Sequence, residues 1–314
     1  MSAGKQRHIV VADDRLDRVV ATIVGSRNKA KETLASGKVR VQGIVATAPG
    51  ELVKAGVVVE VWWNEPGTSV VRNEGKAALD RAGVRLVEWA TDFVVCDKPP
   101  GLLTDAATQS QRRDEDSLVG LLRRLSAPSH PRAVHRIDRD TSGLVLVARG
   151  DTAYEALRAE FAAHRPARRY LTLLHGDLAG DQGTWEDAML WDSRQLRQRV
   201  PRPGEETSLA RASWQVLVRG RAVTLVEVRL DTGRRNQIRL HACLRGHPVV
   251  GERLYLPPRW RRPSLETNRQ WLHAASLSVQ LPDGRVGAWS SPIPQDLKSV
   301  LDSNGVRCGP DGRV

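Results

Sequence analysis

The fold is decided by a polar stretch, His135-Arg136-Ile137-Asp138-Arg139-Asp140-Thr141-Ser142-Gly143, which leads directly into the apolar run Leu144-Val145-Leu146-Val147-Ala148. The apolar run predicts a buried strand, and a loop that enters such a strand is where a rigid scaffold places catalytic side chains. Asp138 lies between two arginines and can stay ionised when partly desolvated, because opposite charge favours the carboxylate. Composition alone favours the alternative, a surface turn held by its own ion pairs.

Two further segments carry side chains suited to nucleic acid. After the turn Thr232-Gly233, arginine and amide residues gather at the start of a helix predicted over residues 236–244. Helix N-terminal amides favour phosphate, and such side chains suit RNA backbone and base edges; a solvated basic helix start is the alternative. Arg168-Arg169-Tyr170 enters another predicted strand, where the tyrosine could stack on a base or simply belong to the core.

The composition indicates a globular protein. Hydrophobic residues make up 40% of the 314 residues, and the formal net charge is +12 with a pI of about 10.3. This charge favours a polyanionic partner, since phosphate contacts release counterions, but a generally basic proteome explains it equally well. The cysteines, Cys96, Cys243 and Cys308, lie far apart and predict neither a disulfide framework nor a zinc site. No apolar run could cross a bilayer and the N-terminus lacks a signal core, so we expect a cytoplasmic protein.

The chain is organised into a small N-terminal module and a larger domain. Residues 9–63 combine short strands with two predicted helices, which are separated at Gly25 with Ser26 as the N-cap of the second. Residues 64–83 have the composition of a linker. Between residues 84 and 302 strands outnumber helices without regular alternation, which predicts an α+β fold with a mixed sheet. We expect residues 303–314 to form a loose tail.

These segments together resemble the RluA family of RNA pseudouridine synthases, in the family's order. Residues 135–143 match the signature H-R-[LI]-D-x-x-T-S-G, residues 168–170 resemble [KR]-x-Y, residues 232–241 resemble T-G-R-x-x-Q-[IL]-R-x-H, and residues 98–101 resemble K-P-x-G. The resemblance implies a mostly antiparallel sheet with flanking helices. It makes Asp138 the catalytic carboxylate, Tyr170 the active-site tyrosine and Arg239 the arginine that pairs with Asp138, ideally through a two-pronged contact. The substrate-binding residues that it implies are His135, Arg136, Thr141, Arg234 and Gln237.

Two positions depart from the family pattern. Arg235-Asn236 stands where the family usually carries Thr-His, and Gly251-Glu252 stands where it usually carries Gly-Asp. We expect neither departure to touch Asp138, Tyr170 or Arg239. Both are expected instead to affect RNA contacts and the choice of target.

The N-terminal unit resembles the alpha-L RNA-binding motif, which is shared with a small-subunit ribosomal protein. The match rests on Arg15-Leu16-Asp17, Ser26-Arg27, Gly37-Lys38-Val39-Arg40-Val41 and Gln42-Gly43. The resemblance implies a basic RNA-binding face that consists of Arg27, Lys29, Lys31, Lys38 and Arg40.

Together the two resemblances imply an enzyme that isomerises chosen uridines in structured RNA to pseudouridine after flipping the base out of its stack. They imply a monomer without metal or other cofactor. Large-subunit ribosomal RNA is the expected substrate, and transfer RNA is the alternative. Asp138 would act as a nucleophile or would remove a ribose proton. Two rival functions are a non-catalytic RNA-binding or ribosome-assembly factor, and a hydrolase that uses Asp138 and Asp140 as an acid/base pair.

Overall fold

The computed structural model describes residues 5–62, 76–106, 116–125, 130–261 and 267–306. The described residues divide into two compact units, a smaller one with residues 5–62, 76–79, 121–125 and 130, and a larger one with residues 80–106, 116–120, 131–261 and 267–306. Most of the predicted linker and most of the predicted tail lie outside the described residues, although residues 76–81 are helical. Within the described ranges, no helix combines the length and the apolar character that a membrane span requires.

The smaller unit packs two helices with short strands. Ser26 caps the second helix by accepting a hydrogen bond from the Lys29 backbone amide at 3.2 Å, as predicted. Leu16, Val20 and Leu34 from the helices are buried with Val59 from the sheet in one core. The elements are β1 (Lys5–Ile9), β2 (Asp14–Arg15), α1 (Leu16–Val24), α2 (Arg27–Ala35), β3 (Val39–Val41), β4 (Ile44–Val45), β5 (Leu52–Val53) and β6 (Val58–Trp62).

The larger unit is built on an 11-stranded sheet, which confirms the α+β class. Its strands are β7 (Arg85–Trp89), β8 (Phe93–Lys98), β9 (Pro131–Ala133), β10 (Ser142–Arg149), β11 (Ala167–His175), β12 (Gln182–Asp192), β13 (Arg197–Arg199), β14 (Ser208–Gly220), β15 (Val223–Leu230), β16 (Leu272–Gln280) and β17 (Val286–Ser290). Its helices include α4 (Asp151–Ala162), α5 (Gln237–Leu244) and α6 (Gln295–Ser303), whereas α3 (Leu118–Leu125) has residues in each of the two units. The main strand order is β13-β12-β14-β15-β11-β16-β10-β8-β7. Among the described ladders of this sheet, β10–β16 is parallel and the others are antiparallel.

The apolar run after the Asp138 loop forms β10, as predicted. It is buried on both faces, which explains why the run is continuously apolar rather than alternating. Leu144 and Leu146 pack in one core with Leu157 of α4. A second core packs Leu297 and further residues of α6 against β11 and β15.

The strand register places the sequence motifs side by side. Ala274 of β16 pairs with Gly143 of β10 on one side and with Tyr170 of β11 on the other. Gly143 has φ +115°, and a Cβ there would collide with the backbone of Ala274, so this position of the motif requires glycine. Because β15 lies next to β11, the segment that follows β15 reaches the same region as the Asp138 loop.

Candidate active site

A cavity of about 470 Å³ opens where the Asp138 loop, the start of β11 and the segment between β15 and α5 meet. This volume is typical of ligand-binding clefts. Predicted site residues in its lining are His135, Arg136, Asp138, Thr141, Tyr170, Arg234 and Gln237, and other residues in its lining include Asp105, Phe161, His164, Arg168, Gly233 and Asn236. Motifs that lie far apart along the chain therefore meet at one site.

Asp138 is anchored by one of its two carboxylate oxygens. Oδ2 accepts a hydrogen bond from Nη1 of Arg239 at 3.2 Å, whereas Oδ1 accepts none from the described residues. The side chain is partly exposed to the cavity, and Arg239 is buried behind it. An arginine thus orients the carboxylate while one oxygen stays available to a substrate.

Arg239 makes its two-pronged contact with Glu252 rather than with Asp138, so the predicted geometry of that contact is wrong. Nε and Nη2 of Arg239 donate to Glu252 at 2.7 and 2.8 Å. Burial alone lowers the pKa of Arg239, but the hydrogen bonds and charge of Glu252 outweigh burial, so the pKa lies above its ordinary value. Burial raises the pKa of Glu252, and Arg239 more than offsets this, so that pKa lies below its ordinary value. Both groups are charged at neutral pH.

Both departures from the family pattern touch Arg239, which corrects the expectation that they lie away from the catalytic groups. Glu252 is buried, and its Oε1 also accepts hydrogen bonds from the backbone amides of residues 253, 254 and 255 at 2.9, 2.8 and 3.2 Å. Asn236 accepts a hydrogen bond from Nη1 of Arg239 at 3.2 Å and donates one to the Tyr255 hydroxyl at 3.0 Å. These residues set the orientation of the arginine.

Buried side chains hold the loop backbone on both sides of Asp138. Thr104 donates to the carbonyl of residue 137 at 2.9 Å, Lys98 to that of residue 139 at 2.8 Å, and Arg269 to that of residue 140 at 3.1 Å. Lys98 also donates to the carbonyls of Pro99 and Leu102, each at 2.8 Å. The family-like segment at residues 98–101 therefore helps to fix the backbone of the Asp138 loop.

Tyr170 is buried in the cavity wall, and its hydroxyl makes no hydrogen bond to the described residues. Burial raises the pKa of the hydroxyl, and the charge of Arg168 opposes this rise. The hydroxyl is consequently protonated at neutral pH and can act as a donor.

His135 is held by the protein itself. Its ring stacks on Phe161 with centroids 4.7 Å apart, and Nε2 accepts a hydrogen bond from the Leu146 backbone amide at 2.9 Å. Burial lowers its pKa to about 3, with a contribution from the charge of Arg168. The imidazole is therefore neutral. His135 lines the cavity, as a substrate-binding residue would, but its ring also holds the neighbouring backbone.

The other predicted substrate residues fall into two groups. Arg136 and Arg234 are exposed at the cavity, and Thr141 is buried with a hydroxyl that has no hydrogen-bond partner among the described residues. Gln237 is placed differently, because its amide oxygen accepts from Thr232 and from the Arg234 backbone, both at 2.9 Å. Its amide nitrogen donates to the carbonyl of residue 211 at 3.0 Å. Gln237 therefore positions the Arg234 segment rather than offering free groups to substrate.

Arg168 is a site residue to which the sequence analysis assigned no role. It lines the cavity, is only 8% exposed and forms no ion pair with any described residue. Its guanidinium lies against Gly233, where a Cβ would collide with it. The alternation of side chains along β11 could have predicted this position, because residues two apart on a strand face the same side. Arg168 and Tyr170 are both buried, whereas Arg169 between them is exposed.

In the smaller unit, the five predicted RNA-binding residues lie on two different elements. Three of them are on helix α2, and the other two are in or directly before strand β3. Arg27 and Lys31 are exposed four residues apart on α2, whereas Lys29 lies on another side of that helix. Arg27 also donates to buried Asp17 at 3.4 Å. Lys38 and Arg40 are partly buried, and Arg40 lies over the Trp62 ring at 5.0 Å.

Comparison with known proteins identifies the family of the chain. The model of the RNA pseudouridylate synthase family matches residues 92–243, and that of the S4 domain matches residues 14–59. An uncharacterised RNA pseudouridine synthase of Bacillus subtilis is 31% identical over 303 residues, which cover 92% of this chain and 94% of the relative. The chain belongs to the RluA family of RNA pseudouridine synthases. It is thus an isomerase with an N-terminal S4 RNA-binding domain, as its motifs predicted.

A further relative and two solved structures are also similar to the synthase. The ribosomal large subunit pseudouridine synthase D of Pseudomonas aeruginosa is 30% identical over 302 residues, which cover 91% of each chain. The structure of human RNA pseudouridylate synthase domain containing 1 is 25% identical, with a TM-score of 0.56, and covers 70% of the synthase and 88% of the human chain. The structure of the human domain containing 4 shares the fold, with a TM-score of 0.58 and 18% identity over 74% of the synthase and 95% of that chain.

Proposed function

We propose that this synthase converts a uridine of large-subunit ribosomal RNA to pseudouridine, with residues 9–63 as an RNA-binding domain and residues 84–302 as the catalytic domain. The target RNA is argued from relatives that are named for the large ribosomal subunit and that are matched over nearly their whole length. The S4 domain and the net charge of +12 support an RNA partner of this kind.

The observation that carries the proposal is the pairing of Asp138 with Arg239 at the cavity wall, which leaves Oδ1 of the carboxylate unpaired among the described residues. A uridine in a stacked helix cannot reach a carboxylate in such a cleft, so the base must flip out of its stack. The isomerisation breaks the bond between uracil and ribose, rotates the base and rejoins it through a ring carbon. Tyr170 lines the same cavity and offers a ring for stacking and a protonated hydroxyl.

Asp138 acts through a carboxylate whose direction is fixed by the protein. Two routes use such a group: attack on the sugar or the uracil ring, and removal of a ribose proton. In either route the Arg239 hydrogen bond orients Oδ2, and the backbone contacts at residues 137, 139 and 140 keep the loop from moving. The protein thereby supplies orientation before the substrate arrives.

Arg168 is assigned to the phosphate of the flipped nucleotide. A buried guanidinium without a carboxylate partner is unfavourable by itself, and a phosphate supplies the missing anion. Arg136 and Arg234 are exposed at the same cavity and add positive charge at its rim. This charge offsets part of the cost of base flipping.

The rival functions fit the site less well. A hydrolase needs an acid and a base on either side of its substrate, but Asp138 lines the cavity whereas Asp140 does not. A pure binding protein has no need for an oriented carboxylate beside a buried tyrosine.

The experiment is tritium release from RNA labelled at carbon five of uracil. Fragments of large-subunit ribosomal RNA and a set of transfer RNAs are compared with wild-type protein, Asp138→Asn and Asp140→Asn. We expect release from a large-subunit fragment by wild type and Asp140→Asn, and none by Asp138→Asn despite retained binding. Release from transfer RNA alone would change the substrate class, and full release by Asp138→Asn would remove Asp138 from the reaction.

A further inference from the structure

A second cavity, of about 390 Å³, lies beside the active-site cavity, and the two share Gly233 and Arg234. Its other walls come from the β12–β13 hairpin, from the start of β14 and from Arg235 at the turn before α5. The side chains in these walls are Met189, Leu190, Trp191, Gln198, Ser208 and Arg235. Apart from Gly233 and Arg234, none of the residues that line the active-site cavity lines the second one.

Trp191 and Arg235 form a stacking platform in the second cavity. The guanidinium carbon of Arg235 lies 3.8 Å from the centroid of the Trp191 ring, and both side chains are partly exposed. Nucleobases stack on tryptophan rings and on arginine planes when a protein binds single-stranded RNA. Arg235 belongs to the pair Arg235-Asn236, which departs from the family pattern.

Gln198 adds a polar group to the platform. It stands directly opposite Trp191 in the β12–β13 ladder, and opposite residues of an antiparallel pair project on the same face. Gln198 is only 5% exposed, yet its side-chain amide makes no hydrogen bond to the described residues. Its amide faces the cavity, and the adjacent donor and acceptor match the edge of a nucleobase.

Hydrogen bonds tie the second cavity to the catalytic groups. The Tyr255 hydroxyl accepts from the Gln198 backbone amide at 2.8 Å and from Asn236 at 3.0 Å. Asn236 in turn accepts from Arg239, which holds Asp138. A group bound at Gln198 therefore lies at a fixed position relative to Asp138, and Arg234 lies at the wall between the two cavities.

We propose that the second cavity binds the base of a nucleotide next to the target uridine, stacked by Trp191 and Arg235 and read along its edge by Gln198. The inference rests on the proposed function, because it takes the occupant to be the same RNA strand whose uridine enters the active-site cavity. Arg234 contacts the phosphate between the two nucleotides. The site thereby determines which uridines are accepted.

The test combines enzyme variants with RNA lacking single bases. The RNA is the fragment that releases most tritium with wild-type protein, with an abasic ribose placed in turn at each of the neighbouring positions on either side of the uridine. The variants are Trp191→Leu and Gln198→Met, and the control is Gln195→Met, the same change at an exposed position of the same hairpin. Full-length protein is used, and kcat/KM is measured by tritium release.

We expect one abasic position to lower kcat/KM of wild type and Gln195→Met by about tenfold or more, as the loss of a stacked base does. At that position Trp191→Leu should lose less than about threefold, because its platform is already gone. Gln198→Met should keep the abasic loss and show weaker discrimination among the four bases there. Equal abasic losses in all proteins at every position would overturn the second site.

Affinity separates the two proposals. The same combinations of enzyme variant and abasic RNA are compared by their Kd, which fluorescence anisotropy measures. Each variant here also carries Asp138→Asn, and the RNA is the fragment that binds most tightly. One result would be that removal of one flanking base weakens binding only when Trp191 is present, while no RNA releases tritium. That result would defeat the proposed function and support the site. Tritium release without such coupling in either readout would support the function and defeat the site.

Discussion

Glu252 holds Arg239 through two hydrogen bonds of 2.7 and 2.8 Å, and its side chain is fully shielded from solvent. Arg239 has one further nitrogen, Nη1, and this nitrogen donates to Asp138. The Asp138 carboxylate is therefore oriented by an arginine whose own direction is set by a second, more deeply buried carboxylate. Glu252 does not line the active-site cavity, so it acts as a positioning residue.

Replacing Glu252 tests this arrangement. Glu252→Gln should lower kcat about 10- to 100-fold with little change in KM, because Arg239 loses its fixed direction but the RNA contacts remain. Removal of one partner of a buried ion pair should also lower the free energy of unfolding by about 3–5 kcal/mol. Tritium release under saturating RNA and urea denaturation measure the two effects.

The shorter carboxylate provides the control for that change. Glu252→Asp keeps the charge and is the residue that the family usually carries, so it should recover much of the kcat that Glu252→Gln loses. Wild-type kcat in Glu252→Gln, together with lower stability, would reduce Glu252 to a purely structural role.

The sequence predicted the location of the site well because its motifs are local. The Asp138 loop, Tyr170 and the Arg239 helix each carry a recognisable pattern, and the strand order β15-β11-β16-β10 brings them together. The α+β class followed from strands that outnumber helices. A helix was predicted over residues 236–244, and α5 begins one residue later at Gln237, because Asn236 adopts a left-handed conformation with φ 54°.

Long-range pairings could not be predicted in the same way. Glu252 lies 13 residues from Arg239 in the chain, and no local pattern states that its carboxylate turns toward the arginine. The sequence gives little signal for the hairpin β12–β13, because β13 consists of three polar residues and β12 mixes polar and apolar residues without strict alternation. Strand β12 is stabilised by its ladder with β14, and β13 by its ladder with β12, rather than by their own composition.

Arg239→Lys should lower kcat/KM at least about 100-fold, because an ammonium cannot contact Glu252 with two parallel bonds and still reach Asp138. The matched control is Arg253→Lys, a conservative change at an exposed neighbour that should leave kcat/KM unchanged. Tritium release under single-turnover conditions measures the chemical step. Near-normal turnover in Arg239→Lys would show that the fork geometry of the guanidinium is dispensable.

Arg168→Met should weaken RNA binding while leaving the protein at least as stable as wild type. The buried guanidinium has no ion-pair partner among the described residues, so methionine removes a desolvation cost along with the phosphate contact. The slope of log Kd against log salt concentration should fall by about 1, which corresponds to the loss of one phosphate contact. Anisotropy titrations across salt concentrations and urea denaturation provide the two readouts.

Arg169→Met is the control for Arg168→Met, because Arg169 is exposed on the opposite face of β11 and pairs with Glu227 at 3.3 Å. It should change neither the salt slope nor kcat by more than about twofold. A lower stability of Arg168→Met with unchanged salt dependence would mean that Arg168 supports the fold and does not contact phosphate.

His135 should contribute to acid sensitivity. Burial lowers its pKa from 6.5 to about 3 in the folded protein, so the unfolded chain binds the proton more tightly between these values. The stabilisation that follows is complete above pH 6.5 and is lost as the pH falls toward 3. Since one pKa unit corresponds to about 1.4 kcal/mol, the loss amounts to a few kcal/mol. Urea denaturation from pH 7 to pH 4 measures it.

His135→Leu removes this titration, so its free energy of unfolding should fall less steeply with acid than that of wild type, even though its stability at pH 7 is lower after loss of the Leu146 hydrogen bond. His130→Leu, the same change at an exposed histidine, should keep the wild-type slope. Some slope must persist in His135→Leu, because burial also lowers the pKa of His175, His241 and His273. An identical slope in His135→Leu and wild type would mean that the His135 ring gains its proton without cost to the fold, and that its neutral form does not order the Asp138 loop.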